Sequence, residues 1–194
     1  VQPLYAEFAM GGCAIAHNGN LTNAAALRRA LTERGSIFQS SSDTEAIVHL
    51  MARGFQPNIP ERMKEALRRV EGAFSVIALT RTKLIGVRDP IGVRPLVLGR
   101  LGDGWALASE TCALDIIGAR FVRDLKPGEM VVVTGKGIES FFPVEPPQPR
   151  FCVVEYAYSA RSDSSVEARN VYDVRKRIGA ELALESPVDA LSLL

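Results

Sequence analysis

The 194 residues are 47% apolar and 23% charged, a balance that suits a globular chain able to close its own core. Formal net charge is +1, so no global field gathers nucleic acid or an anionic membrane surface. No apolar run approaches the ~20 residues of a membrane span, and the first residues lack the layout of a signal peptide. The three cysteines, Cys13, Cys112 and Cys152, are far apart and form no CxxC. Neither a disulfide framework nor a zinc site is readable from them, and a reducing, cytoplasmic compartment is expected. Both ends, Val1 and the apolar stretch Val188 to Leu194, read as cuts in a longer chain.

Leu4 to Phe8 and Cys13 to His17 are short apolar runs about Met10-Gly11-Gly12, which predicts a hairpin. The second run is expected to stop in a turn at His17-Asn18-Gly19-Asn20, because Asn and Gly both tolerate positive φ. Three helical patterns follow at spacings of three and four: Ala24, Leu27, Leu31; Ala46, Ile47, Leu50, Met51; and Met63, Ala66, Leu67, Val70. The middle helix is expected to open on a capping box, Ser42-Asp43-Thr44-Glu45, and to close at Gly54 and Pro57.

From Ala73 the period becomes that of strands: Ala73 to Leu79, Lys83 to Val87, Pro95 to Gly99, Trp105 to Ala108, Met130 to Val133 and Ile138 to Phe142. A short helix, about Glu110 to Ile117, interrupts them. Helices followed by mainly antiparallel strands predict an α+β layered domain. Pro143, Pro146, Pro147 and Pro149 read as a stiff linker. Beyond it, Phe151 to Tyr158 and a helix with Val171, Val174, Ile178 and Leu182 on one face begin a second unit. The expected domains are therefore 1–149 and 150–194.

No complete catalytic set emerges from spacing. Cys13 and His17 share a face of one strand but lie ~13 Å apart along it, outside hydrogen-bond reach. Cys13 and Cys112 are expected to be buried and inert. Gly135-Lys136-Gly137 lacks the spacing of a phosphate loop and reads as a hairpin turn. Asp124 and Glu129 read as surface acids. The basic runs Arg28-Arg29, Arg68-Arg69 and Arg175-Lys176-Arg177 read as solvated helix faces. Two features suit chemistry as well as structure. Asn18-Gly19 offers a side-chain amide beside a flexible backbone N–H, the makings of an oxyanion hole or of a plain turn. Asp43 in a first helical turn suits either a substrate ammonium or the helix dipole.

Taken together, Ala16-His17-Asn18-Gly19-Asn20-Leu21, Ser42-Asp43-Thr44-Glu45, Arg88-Asp89-Pro90-Ile91-Gly92-Val93-Arg94-Pro95-Leu96 and Ala108-Ser109-Glu110-Thr111-Cys112-Ala113-Leu114-Asp115 resemble, in order and spacing, the class II glutamine amidotransferases. These are N-terminal-nucleophile hydrolases, and the resemblance implies a four-layer αββα sandwich. The segment Phe151 to Ser164 and the helix from Val171 resemble the junction into the phosphoribosyltransferase domain of the amidophosphoribosyltransferase family, with Ser162 where that family usually carries proline.

The resemblance implies two coupled steps. Glutamine is hydrolysed by an N-terminal cysteine, and the ammonia displaces pyrophosphate from phosphoribosyl pyrophosphate to give phosphoribosylamine, which commits material to purine synthesis. By position, Asn18 and Gly19 match the oxyanion donors, and Asp43 matches the residue that holds the glutamine α-amino group. Cys152 matches an iron–sulfur ligand of some members and a buried thiol of others, so a 4Fe–4S cluster and a plain thiol both stand. The implied partners are glutamine, phosphoribosyl pyrophosphate with Mg²⁺, and further copies of the full-length chain, with no nucleic acid or membrane. Lacking the cysteine, the chain by itself is expected to be inert. Two other readings stand beside this one: the glutaminase domain of another class II enzyme such as glucosamine-6-phosphate synthase, and a non-catalytic glutaminase-like binding module.

Overall fold

The computed structural model describes residues 2–144 and 148–187. Pro146 and Pro147 of the linker, and Val188 to Leu194, lie outside the described residues. Strands β1 (Leu4–Phe8) and β2 (Gly11–Leu21) open the chain, followed by helices α1 (Ala24–Thr32), α2 (Thr44–Arg53) and α3 (Ile59–Leu67). Then come β3 (Gly72–Thr80), β4 (Leu84–Arg88), β5 (Val97–Leu101), β6 (Gly104–Ala108), α4 (Thr111–Ile116), β7 (Arg120–Asp124), β8 (Met130–Thr134) and β9 (Gly137–Phe141). The tail holds a π-helical turn at Glu155–Ser159, a small hairpin of β10 (Ser165–Val166) and β11 (Arg169–Asn170), and α5 (Val171–Glu185).

Alternation along the strands sorts these elements into layers. One sheet runs β1-β2-β3-β4-β8-β9 and a second runs β6-β5-β7, every pairing antiparallel. Cys13, Ile15, Phe74, Val76, Ile85 and Met130 point to one face of the large sheet and pack with Leu27, Ile47, Met51 and Met63 of the three helices. The residues between them point the other way, where Ile77 and Val131 meet Leu96, Leu98, Trp105 and Leu107 of the small sheet. The far side of that sheet, Val97, Ala106 and Ala108, is covered by Leu114 of α4. Helices, sheet, sheet and helix thus follow in order, the expected four-layer αββα sandwich.

Local chemistry sets several of these boundaries. Asn58 Oδ1 accepts from Glu61 N at 3.0 Å and Pro60 occupies the first turn of α3, where its missing N–H costs nothing. Gly135-Lys136-Gly137 forms the β8–β9 turn, as expected. Strand β7 was not legible, because it is an edge strand with Phe121 and Val122 exposed and shows no two-residue alternation. The capping box is not made. Glu45 turns away to accept from Gln39 N, Ser40 N and Ser40 Oγ at 2.7–2.8 Å, and Asp43 makes no cap bond to its own helix.

The turn expected at Asn18-Gly19 is also absent. Strand β2 runs straight through it, pairing Asn18 with Ser75, Gly19 with Phe74, Asn20 with Ala73 and Leu21 with Gly72. Positive φ is present at Gly19 (150°) and at Gly72 (133°), but it serves strand contact rather than reversal. A Cβ at Gly19 would fall on Ala73 O, and one at Gly72 would fall on Asn20 O.

The tail is held to the sandwich by buried charge. Arg88 is 3% exposed and donates to Arg94 O, Gly92 O and Leu125 O at 2.7–2.9 Å, and to Glu167 Oε1 at 3.1 Å. Glu167 and Ala168 both have left-handed backbone, φ 46° and 59°, in the tight β10–β11 turn where Asn-Gly would be relaxed. That conformation costs ~1–2 kcal/mol per residue, which the Arg88 bond and the Tyr156 hydroxyl on Val166 O at 2.7 Å help to offset. Arg175 is no solvated face residue either: it donates to Tyr156 O, Ala160 O and Ser162 Oγ. Along α5, Val171 is buried, whereas Ile178 and Leu182 of the expected apolar stripe are exposed.

Glu129, expected at the surface, is 2% exposed. Both its oxygens take Arg123 at 2.7–2.8 Å, with Lys126 N and Ser140 Oγ completing the shell. Burial works to raise its carboxyl, but these hydrogen bonds outweigh it and hold the group below its ordinary range. Its contribution is therefore full above the unfolded carboxylate value and lost as pH falls through the depressed one. Arg123→Ala is expected to destabilise the fold by about 2–3 kcal/mol at pH 7, less than for a fully buried pair because the Arg123 side chain is 37% exposed. The deficit should shrink as pH falls toward 5 and the stranded carboxylate takes up a proton. Denaturant unfolding at the two pH values checks this, and a deficit equal or larger at pH 5 would contradict it.

Candidate active site

The site is set by a mismatch in strand length. β1 pairs with β2 only from Gly11 to Ile15, while β3 continues alongside to Leu21. From His17 onward no strand lies beside the outer edge of β2 among the described residues, and each of its backbone groups needs another partner. At the first open rung, the Gln2 side chain serves both groups of His17: Oε1 accepts from His17 N at 2.6 Å and Nε2 donates to His17 O at 2.9 Å. At the last, Asp43 Oδ2 accepts from Leu21 N at 3.0 Å.

Gly19 lies between these rungs and on the same edge. Its opposite residue, Phe74, bonds to the other side, with its carbonyl accepting from Asp89 N at 2.8 Å. Gly19 N–H consequently faces the uncovered edge. Asn18, one residue earlier, projects from the opposite face of the sheet into a cleft of about 230 Å³ between the two sheets, lined also by Ala16, Ser75, Ile77, Leu96 and Ser109. Its side chain is exposed. An amide donor and a backbone N–H thus sit on adjacent residues at one lip, with a carboxylate two residues further along, ~7 Å up the strand.

Asp43 is the residue whose surroundings depart most from a simple helix start. Its Oδ1 lies 3.2 Å from His17 Nδ1, and its side chain is 23% exposed. His17 is buried against Thr44 Oγ1, also at 3.2 Å. Burial lowers the imidazole's proton affinity and Arg94 adds to that, while Asp43 opposes it.

The floor of the cleft is the loop between β4 and β5. Asp89 is fully buried; Oδ1 accepts from Ile91, Gly92 and Val93 N–H and Oδ2 from Arg94 N–H, at 2.7–3.1 Å. Ser75 Oγ ties the loop end, Pro95 O, to β3 at 2.7 Å. Arg94 then reaches Glu155 of the tail at 3.1 Å, and Glu110, next to Ser109 of the cleft wall, accepts from Arg161 N and Ser164 Oγ at 2.8 Å. Gln2 and Ser75 were not singled out from the sequence, and His17 was weighed only as a partner for Cys13. A lone glutamine beside a proline carries no periodicity, and Ser75 reads only as a polar break in an apolar strand.

The cysteines take no part. Cys13 faces the helix side of the large sheet, and burial pushes its thiol up to about 11. Cys112 is 4% exposed, with Sγ 3.8 Å from Glu110 Oε2. Cys152 is half-buried. Among the described residues no three His, Cys, Asp or Glu gather into a metal site, and no helix is long and apolar enough to cross a membrane. Larger clefts of about 420 Å³, beside Asn58, Arg81 and Lys83, and about 620 Å³, beside Arg88, Asp124 and Glu167, lie elsewhere. Neither includes the Asn18–Gly19 donor pair.

Comparison with known proteins bears on the family and the fold. The sequence profile of the family described as "Glutamine amidotransferase domain" matches residues 1–115. An amidophosphoribosyltransferase of Rhizobium etli is 51% identical over 98% of this chain and 39% of its own length. One of Staphylococcus aureus is 47% identical with the same coverage. The chain thus spans about two fifths of the length of the curated relatives it matches. Among solved structures, the glutamine phosphoribosylpyrophosphate amidotransferase from B. subtilis, complexed with ADP and GMP, superposes with a TM-score of 0.93 at 41% identity, covering 98% of this chain and 42% of that one. A glutamine aminotransferase class-II domain protein from Silicibacter pomeroyi, 18% identical with a TM-score of 0.51, shares the fold over 68% of this chain. From its match over more than half its length, the chain belongs to the glutamine amidotransferase domain family.

Proposed function

We propose that this chain is the glutamine-hydrolysing part of an amidophosphoribosyltransferase, with residues 1–149 forming the glutaminase domain and 150–194 the start of the phosphoribosyltransferase domain. The parent enzyme hydrolyses glutamine and passes the ammonia to phosphoribosyl pyrophosphate, releasing pyrophosphate and giving 5-phosphoribosylamine for purine synthesis. The observation that carries this is the open edge of β2, where Gly19 N–H lies beside the Asn18 amide and Asp43 is held at Leu21, two residues beyond. The match of relatives across the tail as well as the sandwich favours this branch over other glutaminases.

The attacking thiolate comes from an N-terminal cysteine of the whole protein, since the three thiols here are buried or away from the cleft. Attack on the glutamine amide puts charge on its oxygen, and Asn18 Nδ2 and Gly19 N–H are fixed donors for it. Gly19 N–H costs no reorganisation at the moment of reaction, because the β2–β3 ladder already holds it. Asp43 binds the substrate ammonium. Mg²⁺ would accompany phosphoribosyl pyrophosphate in the parent enzyme. A 4Fe–4S cluster takes four thiolates; if the parent enzyme holds one, Cys152 is the thiol that this part of the chain would supply.

In the full-length enzyme, Asn18→Ala is expected to lower glutamine-dependent kcat by ~10²–10³, roughly 3–4 kcal/mol, because a developing oxyanion loses a donor. Rates with free ammonia should be near normal. Equal loss with both nitrogen donors would mean that Asn18 serves folding only.

Asp43→Asn is expected to act mainly on KM for glutamine, since the ammonium carries the same charge in ground and transition states. Steady-state kinetics decide it, and a fall in kcat at unchanged KM would refute the assignment. A glutamine-derived electrophile should leave Cys13, Cys112 and Cys152 unlabelled, as read by mass spectrometry. Glutamine-protectable label on any of them would identify a different nucleophile.

A further inference from the structure

The mechanism above leaves His17 without a task, although it is the second residue of the motif that supplies both donors. Its imidazole is buried in the helix-side core, with Nδ1 3.2 Å from both Asp43 Oδ1 and Thr44 Oγ1. Nε2 is buried and has no partner among the described residues. Asp43, for its part, sits at the start of α2, yet its carboxylate makes no cap bond to its own helix. It is drawn across to β2 by Leu21 N–H on one oxygen and His17 on the other.

We infer that His17 is a positioning residue for glutamine recognition: its Nδ1–H fixes Asp43 Oδ1, so that the carboxylate meets the substrate ammonium in one orientation. This rests on the assignment of Asp43 to that ammonium. A proton on Nε2 alone would leave a donor buried without an acceptor and set the Nδ1 lone pair against the carboxylate, while protons on both nitrogens would strand the same donor. The Nδ1–H form leaves unpaired only a weak acceptor. Burial and Arg94 favour the uncharged ring, with Asp43 working against them. An uncharged donor also matters for binding, because an imidazolium would cancel the negative charge that the ammonium needs.

The test is made in the full-length enzyme with glutamine and with 4-carbamoylbutanoate, which is glutamine without its α-ammonium. The readout is the preference between the two, as a ratio of kcat/KM. Asn in place of His sets an amide N–H near Nδ1, whereas Gln sets one near Nε2. His17→Asn should therefore retain the preference, while His17→Gln and His17→Leu should each lose about tenfold or more of it, mostly in KM for glutamine, since a hydrogen bond to a charged group is lost. Ammonia-dependent synthesis reports folding; should His17→Leu not fold, the Asn and Gln variants decide alone. An unchanged preference in His17→Gln, or losses equal for both substrates, would overturn the proposal. Asp43→Asn separates the two levels. If it abolishes the preference and His17→Gln does not, only the role of His17 falls. If it leaves the preference intact, the assignment of Asp43 falls and that of His17 with it.

Discussion

The structure depends on a strand that outruns one of its neighbours. β2 is paired on both sides as far as Ile15 and on one side only from there to Leu21. Backbone donors and acceptors cannot be left dry, so the uncovered length has to be met by side chains or by a ligand. Gln2 takes the first rung and Asp43 the last. What lies between them is a main-chain donor held rigidly by the long ladder behind it.

Rigidity behind that edge comes from charge that is buried but fully satisfied. Asp89 gathers the N–H groups of the β4–β5 loop, and Arg88 gathers its carbonyls along with Leu125 O and Glu167. Truncating either side chain would leave buried backbone N–H or C=O groups without a partner, at about 1–3 kcal/mol each. The same loop carries Arg94 outward to Glu155, and the cleft-wall segment carries Glu110 to Arg161 and Ser164. The cleft and the tail therefore share their supports, and a shift in one is felt at the other through named contacts.

Most of the layered fold was legible because periodicity is a property of burial. The α1, α2 and α3 stripes and the strands from Ala73 onward alternate as the layers require. Where reading failed, a local preference met a tertiary demand. Asn18-Gly19 has the chemistry of a turn, yet nine paired residues of β3 hold it extended. Ser42-Asp43-Thr44-Glu45 has the spacing of a capping box, yet Glu45 and Asp43 are each drawn to other partners. Glu129 and Arg175 read as solvated because charge usually is, and only the fold brings them their buried partners. Asn18, Gly19 and Asp43 entered as candidates through a resemblance, His17 only as a rejected partner for Cys13, and Gln2 not at all. Their significance lies in which strand edge and which face they meet.

The close approach at Gly19 divides the donor pair into a part that can vary and a part that cannot. Any side chain at position 19 would strike the β3 backbone at Ala73, and the same holds at position 72 against β2. These two positions accept glycine without exchange, so the main-chain donor is fixed in place as firmly as the sheet itself. Asn18 faces open space in the cleft, where another residue fits without disturbing the ladder. Remodelling of this site, by natural drift or in the laboratory, has one adjustable donor and one that is written into the spacing of two strands.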